Sequence, residues 1–334
     1  MTSRKLVTKT LEFDNPERIP RQLWLLRWAE NNYPEQVSRI TETFPDDVIS
    51  SPNFIKTKPQ TFGDPYISGT YKDEWGCEFY NKHDGIMGEV KSPLIEKWDE
   101  LSKVRPPSEM LTVDKEKVNS YCSESDRFTL AGAAPRPFER LQFLRGTENV
   151  MLDLAMQPPE LETLIHTIHQ YNLKLLETWA ETDVDGLMFM DDWGMQNSLL
   201  ISPDHWRRLF KPMYKEYADI ARSKGKKIFM HSNGYIYEIL EDLIEIGLDA
   251  ISSQIFCIGL DKLSEKFSGR ITFWGEIDRQ SLLPEGSTGD IRNAVQDICS
   301  KLYRNGGVIA QVQFGPGAKP ENVYTAFEEF NNIL

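Results

Sequence analysis

Between Val184 and Gly234 the chain reads VDGLMFMDDWGMQ, then ISPDHWRRLFKPMYKEYADIARSKG, then KKIFMHSNG. A short apolar run breaks off at Asp191 and Asp192, a long helical connection follows, and a second apolar run closes in His231. Two apolar strands joined by a helical crossover pair in parallel, and a parallel sheet needs cover on both faces. Folds of this class carry their chemistry at the carboxyl ends of the strands, where these polar residues stand.

The same unit recurs along the chain. QLWLLRW, RFTLAG, GLMFM, KKIFMH, DAISSQ, RITFWGEI and GGVIAQVQF read as parallel strands, and an eighth is expected between residues 45 and 70. Helical periodicity or start signals fall at residues 1–18, 147–156, 158–182, 260–268, 288–304 and 320–332, and in YIYEILEDLIEIG, which Gly247 closes. Ser202-Pro203 starts a helix that Pro212 kinks or splits. Repeated strand-plus-helix units over this length fit a (β/α)8 barrel of the TIM type, a single α/β domain spanning 1–334. Residues of about 31–107 break the pattern. There KDEWGCEFY and GIMGEVKSPL alternate like an antiparallel hairpin, expected to form an irregular excursion covering one mouth of the barrel. An open doubly wound sheet is the rival fold, but no GxGxxG or GxxxxGK[ST] follows any strand.

Composition narrows the partners. Of 334 residues 40% are hydrophobic and 27% charged, and the net charge is −13, with no Lys/Arg stripe to suit nucleic acid. No run is long enough to cross a membrane. Four cysteines without CxxC spacing, and a start lacking an apolar signal segment, point to the cytoplasm.

Strand ends supply the candidate site residues. Asp191, Asp192 and Glu276 are the candidate catalytic carboxylates. Neighbours in an extended chain face opposite ways, so only one of the two aspartates can face the interior directly, and the other points toward the helices or a loop unless the strand has already ended. The alternative is that one of them caps the next helix or pairs with an arginine. Trp193 offers a flat wall, and Gln254 and Gln311 position a polar substrate. Arg27 suits a carboxylate or phosphate, or else a salt bridge with a rim aspartate. His231 is a metal ligand, a general base or a hydrogen-bonded structural histidine. A carboxylate after the fourth strand opposed to Glu276 after the seventh also matches glycoside hydrolysis, with a decisive separation near 5 Å or beyond about 10 Å.

Taken together, several segments resemble the uroporphyrinogen decarboxylase superfamily, which includes cobalamin-linked methyltransferases. They are Glu17-Arg18-Ile19-Pro20 with WLLRWAENNYPE, then DEWG, MDDWG, ISPDHWRRLFKPMY, GKKIFMHSNG, FWGEIDRQ and FGPGAKPENV, in the family's order. The resemblance implies a (β/α)8 barrel, often a homodimer. Arg27 matches the first of two carboxylate-binding arginines of the decarboxylases, while Asn31 stands at the second. Their catalytic aspartate has no counterpart near Ile67-Ser68. Asp192 occupies the position of a serine and Pro316 that of a histidine. The methyltransferase branch binds zinc through His-x-Cys and a later cysteine. His231 matches that histidine, whereas Asn233 and Pro316 replace the cysteines. An oxygen/nitrogen site from His231, Glu276 and one aspartate would instead suit zinc, iron or manganese.

The leading expectation is a divergent enzyme of methyl-transfer or corrinoid-linked metabolism. It takes a small polar substrate, with a corrinoid protein as partner. Arg27 and Gln254 orient the substrate, His231 and Asn233 hold it or a metal, and Asp192 with Glu276 handles protons. The alternatives are a decarboxylase of a smaller acid, and a metabolite-binding barrel without catalysis.

Overall fold

A computed structural model describes residues 1–333. Eight parallel strands form one sheet: β1 (Arg21–Leu25), β2 (Val48–Ser50), β3 (Phe128–Leu130), β4 (Gly186–Met190), β5 (Lys227–Ser232), β6 (Ala250–Ser253), β7 (Thr272–Trp274) and β8 (Val308–Phe314). Their order, β1-β8-β7-β6-β5-β4-β3-β2, runs around a ring with helices outside it. Two aspartates close the seam between β1 and β2. Asp47 donates its backbone N–H to the Arg21 carbonyl at 2.9 Å and accepts from Arg21 N at 3.0 Å, while Asp46 Oδ1 accepts from Leu23 N at 2.7 Å. The chain is thus a (β/α)8 barrel.

Alternation along the strands separates two cores. Val48, Phe128, Leu130, Phe229, Ala250, Trp274 and Ile309 point inward and pack with Trp24 and Met188. Phe273, the neighbour of Trp274, points outward into the layer beneath the helices. Trp274 meets Trp24 and Phe229 edge-on, with centroids 5.2 Å apart in both pairs. A fully buried ring of this size contributes about 4–6 kcal/mol as an upper estimate. The helix Ser3–Leu11 plugs the amino-terminal end of the ring with Val7 and Leu11, and Arg4 fastens it to Asp185 at 2.9 Å. That helix is shorter than the 1–18 expected, because Phe13 and Asn15 take positive φ (55° and 45°) and turn the chain back.

Two other boundaries differ from the sequence reading. β1 stops at Leu25, so Arg27 opens the helix Arg27–Asn32 instead of ending the strand. A helix at Pro137–Arg145, unanticipated, follows β3. The helix with Pro212 is split at Phe210 into Pro203–Leu209 and Lys211–Ser223, as a proline lacking its N–H requires. The excursion holds three antiparallel strands (Gly69–Lys72, Glu78–Asn81, Glu89–Ser92) where a hairpin was expected. Its tight turn is built on Asp73, whose Oδ1 accepts from Trp75 N and Cys77 N. Arg140 then ties that turn to the barrel by hydrogen bonds to Asp73 and Glu74.

Candidate active site

Parallel register sets His231 beside Met190 on one side and Ser252 on the other. The imidazole faces the barrel axis, its centroid 4.8 Å from that of Trp24, and Nδ1 shares a hydrogen bond with Ser252 Oγ at 3.0 Å. Nε2 stands 4.0 Å from Asp192 Oδ1. Burial lowers the pKa of His231 to about 4. Asp192 opposes that shift, and Arg279 and Arg136 add to it. The ring is therefore neutral near pH 7.

Past Met190 the two aspartates part. Asp191 turns into the helical layer, fully buried, where its oxygens accept from Phe138 N and Glu139 N at 2.9 Å each and from Tyr214 Oη at 2.5 Å. It caps the start of Pro137–Arg145, and burial raises its pKa well above the ordinary range. Trp193 lies beside it, stacked on Phe138 at 4.0 Å and donating to Tyr214. Both belong to the packing behind the sheet. Asp192 instead faces the mouth and accepts from Asn233 N at 3.0 Å and Asn233 Nδ2 at 2.7 Å. Two glycines permit this approach. A Cβ on Gly194 would stand 2.3 Å from Tyr235 N, and one on Gly234 2.2 Å from the Gly194 carbonyl oxygen.

Across the mouth, Glu276 follows β7 and is buried without a hydrogen-bond partner of good geometry on either oxygen. Burial raises its pKa to about 7, against the pull of Arg279 and, more weakly, of the Gln254 amide. Arg279 joins the halves of the rim: it donates to Gln313 Oε1 at 2.8 Å and to Asn233 Oδ1, with Nε 3.5 Å from Glu276. Gln254 Oε1 accepts from Gly234 N at 2.9 Å. Gln311 is buried with its amide unpaired, against Gly275.

Of the residues singled out in the sequence, the structure thus gathers Asp192, His231, Asn233, Gln254 and Glu276 at one rim, with Gln311 among the buried residues behind Gly275. Asp191 and Trp193 lie behind the sheet. Arg27 is at the surface, its side chain 65% exposed, 3.8 Å from Glu30 and over the Tyr66 ring. Sequence reasoning missed Arg279, three residues after Glu276 within FWGEIDRQ, and Arg136, in the loop after β3. A strand ending in Gly132-Ala133-Ala134 and then Pro135-Arg136 carried a signal: small residues make room, and the next charged side chain enters it.

Three spaces open here. One of about 240 Å³ sits over the ring between Trp24, Ser50, Ala133, Met190 and Trp274. A second, of about 250 Å³, lies under the excursion between Tyr71, Trp75, Ala133, Arg136, Phe143 and Tyr171. The third, about 150 Å³, is bounded by Gln196, Gln254, Cys257, Glu276, Asp278 and Gln280. None of the three, taken singly, is large enough to enclose a corrin macrocycle. The donor set does not fit a metal either: the charges of Arg279 and Arg136 act on His231, Arg279 stands on Glu276, and Asn233 offers only a neutral amide. Among the described residues no three His, Cys, Asp or Glu side chains stand where they could share an ion. Asp192 and Glu276 are joined across the mouth through Asn233 and Arg279.

The sequence matches the family model described as Uroporphyrinogen decarboxylase (URO-D) over residues 70–333. Among solved structures, a methyltransferase from Methanosarcina mazei is similar at TM-score 0.64 and 17% identity, covering 99% of this chain and 98% of that one. An endo-1,4-beta-xylanase from Caldicellulosiruptor owensensis aligns at 0.45 and 12%, covering 98% and 99% of the two chains. A putative vitamin-B12 independent methionine synthase from Listeria monocytogenes aligns at 0.43 and 12%, covering 91% and 86%. No curated protein matches the sequence.

Proposed function

The chain belongs to the uroporphyrinogen decarboxylase family, and from that premise we propose an enzyme that removes a methyl group from a small polar substrate. Glu276 gives the leaving atom its proton. One observation carries this reading: Glu276 is buried beside a cavity of about 150 Å³, has no hydrogen bond of good geometry on either oxygen, and holds its proton up to about pH 7 even with Arg279 3.5 Å away. When a methyl group leaves a heteroatom, the bonding electron pair stays on that atom. A proton from Glu276 neutralises it as the bond breaks, so no bare anion is expelled. General acid catalysis of this kind is worth about 10²–10⁴-fold when the acid's pKa lies near the working pH. Gln254, Asn233 and Asp192 orient polar groups of the substrate, and neutral His231 offers Nε2 to them. The methyl acceptor is a nucleophile arriving from outside the ring, and a corrinoid protein supplies one of the right class.

The test is incubation with O- and N-methylated small molecules and a reduced corrinoid, with loss of the methyl resonance followed by NMR. Consumption of one donor class, falling at least ~10²-fold in Glu276→Gln, is expected. Equal consumption by the variant, or none by the parent, sinks the reading.

A second reading is favoured by a specific observation, the incompletely paired guanidinium of Arg136. Here a substrate carboxylate leaves as CO₂, the electron pair remains on carbon, and the Glu276 proton quenches it. Release of CO₂ from a small acid without methyl loss selects it. Uroporphyrinogen itself is a poor fit, because its eight carboxylates would meet Asp192 while only Arg136 of the three cleft arginines keeps unengaged donors.

A further inference from the structure

We propose that Arg136 anchors the substrate, and that what it holds is a carboxylate on a single flat, apolar body such as one aromatic ring. The proposal deepens the reading above and rests on the rim being a substrate site.

Three arginines stand around the cleft, and their donors are engaged to different degrees. A guanidinium has five N–H groups in a planar fork. Arg140 is buried and hydrogen-bonded to Asp73 and Glu74. Arg279 is engaged by Gln313, Asn233 and Glu276. Arg136 donates to Met190 Sδ at 3.1 Å, a weak thioether acceptor. The one carboxylate with which it pairs among the described residues, Glu139, is 3.7 Å away, beyond hydrogen-bond length. Glu139 is also a poor counterion, because burial raises its pKa to about 7. The Arg136 side chain is 35% exposed and lines the space under the excursion. It therefore presents unused donors to a ligand, in a geometry that suits two parallel bonds to one carboxylate.

The walls define the rest of the ligand. Gly132, Ala133 and Ala134 bound both the space under the excursion and the one over the ring, so Arg136 stands where the two adjoin. Tyr71, Trp75, Phe79, Phe143 and Tyr171 line the outer space, and Trp24 and Trp274 the inner. A cavity of roughly 150 Å³ accepts benzene. Each space, at about 240 and 250 Å³, therefore has room for one substituted ring. Charge makes the anchor necessary. A chain of net charge −13 repels anions at long range, so capture of one needs a local cation.

The experiment measures binding, not turnover. The full-length protein is titrated calorimetrically at pH 7.5 with benzoate and with benzamide, its uncharged isostere. Benzoate should bind at least about tenfold more tightly than benzamide. Arg136→Gln should abolish that preference without weakening benzamide, and Arg136→Lys should restore part of it, with each variant's thermal midpoint showing that it is folded. Glu276→Gln should keep the preference even where turnover is lost. A failure of the methyl-transfer reading and a failure of this one are then separate results. The proposal is overturned if the parent does not prefer benzoate, or if folded Arg136→Gln still does.

Discussion

Replacing Glu276 by glutamine keeps the size of the side chain and removes its proton equilibrium. In the folded protein burial holds this carboxyl at about 7, against 4.5 for an ordinary glutamate. That gap corresponds to about 3 kcal/mol. Below pH 4.5 the group is protonated in both folded and unfolded chains and contributes no pH dependence. As the pH rises through 4.5 the unfolded chain ionises while the folded one keeps its proton, so stability falls. The loss continues until the pH passes 7 and then levels off. Urea unfolding at intervals from pH 4.5 to 8 reads the effect directly, because the midpoint tracks stability at constant slope. The difference in unfolding free energy, Glu276→Gln minus parent, should rise by about 3 kcal/mol across that window. Parallel curves would mean that the carboxyl titrates normally in the folded state. Glu276 would then be an ordinary anion paired with Arg279, and the general acid assigned to it would not exist.

Four further outcomes follow from where the other residues lie. Asp191→Ala leaves two helix-cap N–H groups and the Tyr214 hydroxyl without their acceptor, and should destabilise the fold by roughly 2–4 kcal/mol in denaturant titration. Asp192→Asn should leave stability within about 1 kcal/mol while lowering turnover, separating the two neighbours by assay. His231, held near 4, should show no titration of its ring resonances between pH 5.5 and 8 in NMR; a midpoint near 6.5 would place it in solvent. Arg27→Ala should change stability by less than about 0.5 kcal/mol and leave turnover intact, because the side chain is largely exposed.

Much of the barrel was legible because its signals are local. Apolar runs such as GLMFM and KKIFMH, each closed by a polar residue, give strand, direction and the end that carries chemistry. They require only the alternation of side chains and the need to cover a parallel sheet. For the same reason the parting of Asp191 and Asp192 could be foreseen, as could the convergence of Asp192, His231, Asn233, Gln254 and Glu276. What the chain order could not carry were choices made between elements distant in sequence. Which aspartate faces the mouth depends on Phe138, Glu139 and Tyr214, which supply donors on the far side of the sheet. Whether an arginine is free depends on its neighbours: Arg279, Arg140 and Arg136 read alike as letters, and only packing saturates the first two. Arg27 shows the converse. Two residues of difference in where β1 ends moved it from the strand to a surface helix, and a charge without burial has water as its partner. Periodicity is thus written in consecutive residues, whereas desolvation and hydrogen-bond pairing exist only once the ring has closed.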